Sequence, residues 1–158
     1  TWAGTGAAGY LDGPGAKAQF KDPVTAAVAA DGSLYVNDRG NSRLRRVAPD
    51  GTVTTVAGDG QAGDVDGYGA AARLNDTEGL TVDGQGRLLI ADAGNNKVRR
   101  YDPATGAVIT LAGTGAGDFL DGDGATARFN RPSGIAVAAD GSLVIADGST
   151  RLRRLTYK

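Results

Sequence analysis

The sequence predicts an all-β protein made of one repeated unit, and three observations predict it. Glycine is in excess, 26 of 158 residues against 5 prolines, which asks for many tight turns and argues against a helical bundle. No stretch sustains a 3.6-residue apolar period, so almost no helix is expected. The chain also repeats itself: residues 1–38 laid on residues 110–147 agree at 23 of 38 positions, and a third copy begins at Thr55. Landmark pairs recur in step, Ala3-Gly4, Ala57-Gly58 and Ala112-Gly113, then Asp12-Gly13, Asp66-Gly67 and Asp121-Gly122, at spacings of 54 and 55 residues.

Each copy reads as four short strands. The first covers residues 24–29, 80–83 and 135–138, and is small and apolar on both faces, as in a strand squeezed between neighbours. A hairpin turn follows, Asp31-Gly32, Gln85-Gly86 or Asp140-Gly141, with the glycine such turns need. The second strand covers 34–38, 88–92 and 143–147. The third carries a double arginine in each copy, Arg45-Arg46, Arg99-Arg100 and Arg153-Arg154. A turn opening on Pro49 or Pro103 leads to the fourth, at 53–57 and 108–112. Four antiparallel strands per unit, at a period near 50, fit the blade of a β-propeller, where radial stacking protects the strand edges.

The runs DGSLYVND-RGNSRLRRVAPDGTVTTVAG, GRLLIADAGNNKVRRYDPATGAVITLAG and PSGIAVAADGSLVIADGSTRLRRL resemble NHL repeats. The resemblance covers nearly the whole chain as one domain of three repeats, about 1–54, 55–109 and 110–158. The third departs by one deletion in the turn after Asp147. It implies a six-bladed propeller acting as a binding scaffold, with a few enzymes among the relatives.

Composition narrows the chemistry. With no Cys there is no disulfide framework and no thiolate site, and with no His the commonest metal ligand and general base are missing. The net charge is -1, so no nucleic-acid footprint is expected, and no apolar run nears the ~20 residues that span a bilayer. The chain starts at Thr1 without a Met. This fits a processed, excised or engineered segment as well as a half-length gene, and leaves the compartment open.

Three blades cannot close a ring. Thr1, Trp2, Ala3 and Gly4 align with the end of a fourth strand, while the third copy stops after its third strand. The expectation is a homodimer of 3+3 blades, in which residues 1–4 of each chain complete the last blade of the other, next to Leu152, Leu155 and Tyr157. Trp2 is expected to anchor that closure.

The loops after the fourth strands share a top face with the turns between strands two and three. Thirteen acidic residues are counted there against nine basic ones. An acidic top favours cations or basic protein or small-molecule partners. Candidate contact residues are Tyr10, Phe119, Glu78, Asp12, Asp66, Asp121 and Asp123. No cofactor is expected. Calcium is the one candidate ion, at Asp121 and Asp123, two close carboxylates of the third loop. The competing reading is that Asp12, Asp66 and Asp121 bond their own turns, and that Asp38, Asp92 and Asp147 are structural turn residues paired with Arg43, Lys97 and Arg151. The double arginines are expected to pack their stems between blades and keep their heads in water. A non-enzymatic module is favoured; the alternative is a metal-dependent propeller hydrolase or lactonase with a cation at the axis near Glu78.

Overall fold

In a computed structural model describing residues 1–148 and 150–157, the chain forms three antiparallel sheets standing side by side. The first blade is β1 (Pro23–Val28), β2 (Leu34–Asp38), β3 (Arg43–Val47) and β4 (Val53–Ala57), paired in that order. A two-residue strand, β5 (Gly67–Tyr68), precedes the second blade, β6 (Thr77–Val82), β7 (Leu88–Asp92), β8 (Lys97–Asp102) and β9 (Ala107–Ala112), and pairs with its outer edge. The third blade has β10 (Pro132–Val137), β11 (Leu143–Asp147) and β12 (Arg151–Leu155). The only helical segments among the described residues are single 3-10 turns.

Side-chain parity decides how the blades stack. In the first blade Tyr35 and Leu44 point toward the second, where they meet Leu74, Leu80, Leu88 and Ile90. Leu34, Val36 and Val47 point the other way, onto Ala3, Ala18 and Phe20 of the opening loop. The second and third blades meet through Leu89 and Val98 on one side and Leu143, Ile145 and Phe129 on the other. Each long loop therefore covers the blade that follows it.

Residues 1–4, expected to pair with a second copy, form no strand within the chain: Ala3 packs on the first blade, the Gly4 amide donates to the Gly15 carbonyl, and Trp2 is half-exposed. Two expectations change here. The innermost strands of the two end blades are partly open rather than buried on both faces, since among the described residues no blade covers one face of β1 or of β10; Val28 is exposed, whereas β6, with a blade on each side, has no exposed residue. And β5 is an addition: Gly67 and Tyr68 pair with Val108 and Ala107, extending the second blade by a fifth, outermost strand.

Candidate functional site

The long loops and the β2–β3, β7–β8 and β11–β12 turns do share one face. The Asn41 amide donates to the Gly9 carbonyl and the Asn95 amide to that of Gly63, tying each turn to the loop above it. Ser149, in the shortened third turn, lies outside the described residues.

The dominant feature of that face is an arginine under the loop of each blade, fully buried in the first two and slightly exposed in the third. The Arg45 guanidinium is fully buried; it donates to Asp38 at 2.5 Å and to Asp12 at 2.7 Å, with further bonds to the Leu11 and Gln19 carbonyls. Arg99 repeats this on Asp92 and Asp66, both at 2.7 Å, and Arg153 on Asp147 at 2.8 Å and Asp121 at 2.7 Å. The reading of the first arginine of each pair as a surface residue is thus corrected. Arg45 has the parity of Val47 and points under the loop, whereas Arg46 and Arg154 lie on the other face and pair with Asp31 and Asp140 at the surface.

The aspartates change partners accordingly. Asp38, Asp92 and Asp147 do hold turns. Asp38 and Asp92 accept from the Asn41 and Asn95 side chains, and all three accept the backbone N–H of Lys21, Asn75 or Asn130. Their ion-pair partners are these arginines, not Arg43, Lys97 and Arg151. Asp12 and Asp66 do not close their own turns; they reach the fourth strand, Asp12 accepting from the Thr55 amide and hydroxyl and Asp66 from the Thr110 hydroxyl. Burial opposes the Asp66 charge, but the Thr110 amide and Arg99 outweigh it and hold its pKa below the ordinary value. Asp92 is driven the other way, above the ordinary value, by burial.

Arg43, Lys97 and Arg151 serve the loop residues instead. Arg43 stacks 3.7 Å from the Tyr10 ring centroid and Arg151 3.8 Å from that of Phe119. The second blade has Asp64 at that loop position, and Lys97 meets it at 2.6 Å. Tyr10 and Phe119 are therefore anchored by their own blades, with Tyr10 also hydrogen-bonded to Thr55.

Nearer the axis, charges link the blades in series. Arg39 meets Asp22 at 2.6 Å and, in the second blade, Glu78 at 2.7 Å; Asp76 beside Glu78 is paired with Arg131 of the third blade. Glu78 lies within β6, not ahead of it, and its carboxylate is engaged by Arg39. Asp121 is held by Arg153, while Asp123 accepts from the Thr126 hydroxyl and amide, which lower its pKa. Among the described residues no group of three or more acids is gathered to hold a metal. With Arg45, Arg99 and Arg153 added to the nine bases, the top is a lattice of ion pairs rather than an acidic face.

The open end is the other candidate site. Along β12 runs a groove of about 590 Å³, lined by Phe119, Asp121, Gly122, Phe129 and residues 151–155. Among the described residues no fourth strand pairs with β12 here. Of the expected assembly residues, Leu152 faces out and is 78% exposed, whereas Leu155 packs inward between blades two and three, and Tyr157 packs beside it and bonds Asp83 at 3.2 Å. At the opposite end a second groove, about 340 Å³, is lined by Trp2, Ala3, Phe20, Leu34, Val36 and Val47.

No family model matches the chain. Individual relatives do, and the fold and its paired blades define a β-propeller chain. It is 37% identical over 145 residues to bovine NHL repeat-containing protein 2, covering 83% of this chain and 20% of that protein. An auxiliary nutrient binding protein from Bacteroides thetaiotaomicron superposes with a TM-score of 0.75 at 25% identity, over 84% of this chain and 36% of that one. A gluconolactonase from Xanthomonas campestris gives 0.56 at 26% identity, over 79% and 34%. The chain thus spans about a fifth of that curated relative and about a third of those solved structures. It belongs to the NHL-repeat β-propellers.

Proposed function

We propose that the chain is a non-catalytic binding scaffold: half of a six-bladed ring that a second copy closes, each copy lending residues 1–4 to the third blade of the other. One observation carries the reading. Leu44 and Val98, which face the next blade, are fully buried, while Leu152 at the same position of the third blade is 78% exposed. Apolar surface of that kind marks an interface. The ion-paired top of the ring then offers a rigid, mixed-charge platform to a protein or small ligand, consistent with the nutrient-binding likeness. Nucleic acid is disfavoured, since a net charge of -1 leaves little counterion release to drive it.

Light scattering on residues 1–158 tests the reading. Twice 15.9 kDa supports it. A stable monomer refutes it and leaves closure to blades outside this chain; a trimer, implying nine blades, refutes it too. Residues 1–4 can be removed to test the exchange, which is wrong if the dimer keeps its stability.

The likeness to a gluconolactonase favours a second reading, a metal-dependent hydrolase with an ion near Glu78. Arg39 on that carboxylate speaks against it. A stoichiometric metal in the purified protein would reinstate it.

A further inference from the structure

The groove along β12 has two filled counterparts in the same molecule, so its occupant can be read from them. In the first blade Arg45 is opposite Thr55 and Leu44 opposite Ala57. In the second, Arg99 is opposite Thr110 and Val98 opposite Ala112. A glycine ends both strands, Gly58 at φ +93° and Gly113 at φ +107°. A β-carbon there would lie 2.4 Å from the Ser42 carbonyl oxygen or 2.7 Å from that of Asn96. The filled slots therefore demand Thr-x-Ala-Gly: a threonine for the loop aspartate, a small residue against Leu44 or Val98, and a glycine that passes under the turn.

The vacant slot presents the same fittings. Arg153 and Leu152 occupy the pairing positions, and Asp121 stands where Asp12 and Asp66 stand. The Asp121 side chain is 95% exposed, against 38% for Asp12 and 48% for Asp66, because no threonine is there to donate to it. Outside the blade strands two segments have the required sequence, Thr1–Gly4 and Thr114–Gly117. The second is tied into the third loop, where the Thr114 amide donates to the Ala127 carbonyl, directly after the strand that fills the second blade's own slot, which leaves Thr1, Trp2, Ala3, Gly4. Gly4 already holds φ +102°, and its β-carbon would meet only Phe20 at 3.5 Å; the turn carbonyl that crowds Gly58 and Gly113 has no equivalent beside it.

We infer that the β12 edge is a strand-acceptor site selective for Thr-x-Ala-Gly, with Asp121 as the residue that recognises the threonine and residues 1–4 of a second copy as its occupant. This rests on the ring reading above but adds register and selectivity. The register places Ala3 directly opposite the partner subunit's Leu152. Facing positions in antiparallel strands have Cα atoms roughly 4.5–5.5 Å apart, within the range a disulfide bridges. The chain has no Cys, so engineered ones have no competitors.

The double variant A3C/L152C, oxidised in air, is expected to run as a covalent dimer on non-reducing gels, and A3C/R154C, two residues out of register, to cross-link at least tenfold less. A doubled mass without the A3C/L152C cross-link overturns the strand acceptor while leaving the ring standing. If the chain is monomeric, the slot is tested alone. A blocked hexapeptide of residues 108–113 is titrated against residues 5–158 and followed by NMR at the amides of residues 151–155. Saturable shifts, weakened at least ~tenfold by D121N as expected for a hydrogen bond to a charged group, sustain the site without the dimer. Absence of shifts, or shifts equal for D121N and for a scrambled peptide, overturns it.

Discussion

The seam between the first two blades and the open end of the third are built from equivalent residues in opposite circumstances. At the seam Tyr35 and Leu44 are nearly or wholly buried; at the open end their counterparts, Val144 and Leu152, are both exposed. The strands are otherwise alike: β11 pairs with β12 in the same register as β2 with β3. Blade formation and blade stacking are thus separable. Local pairing makes the sheet, but the apolar core belongs to the space between sheets, and a repeat with no neighbour keeps its shape while exposing its face.

The largest effect tests what the two regions share, the arginine under the loop. Arg99→Ala leaves Asp92 buried without its counter-charge, and stability should fall by about 3–5 kcal/mol in urea unfolding. A loss below about 1 kcal/mol would mean the pillar is ornamental. Its outer partner separates the regions. Asp66→Ala, which removes the bonds to Arg99 and Thr110, should cost roughly 1 kcal/mol once solvent screening of a half-exposed group is allowed for. Asp121→Ala should be silent wherever the slot along β12 is empty.

The two leucines give the sharpest contrast. Leu44→Ala removes a fully buried side chain and should cost about 2–5 kcal/mol at any protein concentration. Leu152→Ala should cost less than about 0.5 kcal/mol in an isolated chain but approach the Leu44 value in a closed ring. Its penalty should therefore grow with protein concentration, since association stabilises by mass action. Equal, concentration-independent penalties would erase the distinction between seam and open end.

Much of this architecture was legible beforehand. The strands at 34–38, 88–92, 143–147 and 53–57 coincide with the observed ones, because alternation, glycine turns and threefold repetition all point to the same boundaries. The arginine pillar was not. Parity already placed Arg45 with Val47, but a double arginine reads as solvent-facing unless its counter-charge is known, and Asp12 is 33 residues away. The Tyr10–Arg43 stack was hidden for the same reason: the two residues meet only after the loop has folded back on its blade. The exchange of an aromatic–Arg pair for Asp64–Lys97 in the second copy was the one trace left in the sequence, visible only when both positions are compared across repeats.

Acid should weaken both regions through the loop carboxylates. Asp59, Asp66 and Asp83 all have lowered pKa values. The Gln61 amide and Arg73 lower that of Asp59; in Asp66 and Asp83 hydrogen bonds outweigh burial. A depressed folded pKa stabilises above the unfolded value of 3.8 and loses that contribution as pH falls through the folded one. Asp92, with a raised pKa, has the opposite sign, since its protonation is easier in the fold, so it softens the decline. The urea midpoint should be flat between about pH 5 and 7 and fall below about pH 4. A midpoint that rose on acidification would assign control to Asp92 instead.

The smallest expected effect compares blades at a single pair. Arg43 on Tyr10 and Lys97 on Asp64 solve one problem, holding the loop to the turn, by stacking in one blade and by charge in the next. Each partner is part-exposed, so the pair contributes only about 0.5–1 kcal/mol. Placing the second blade's solution in the first, Tyr10→Asp with Arg43→Lys, should recover most of what either single change loses, because aspartate alone faces an arginine also committed to the Asp59 carbonyl, and lysine alone forfeits the planar stack. The coupling measured in a double-mutant cycle should be at least ~0.5 kcal/mol in favour of matched pairs. Additive single effects would mean that the loop is held by the Arg45, Asp12 and Asn41 bonds without help from this pair, and that the alternation between repeats is drift rather than an exchange of equivalent contacts.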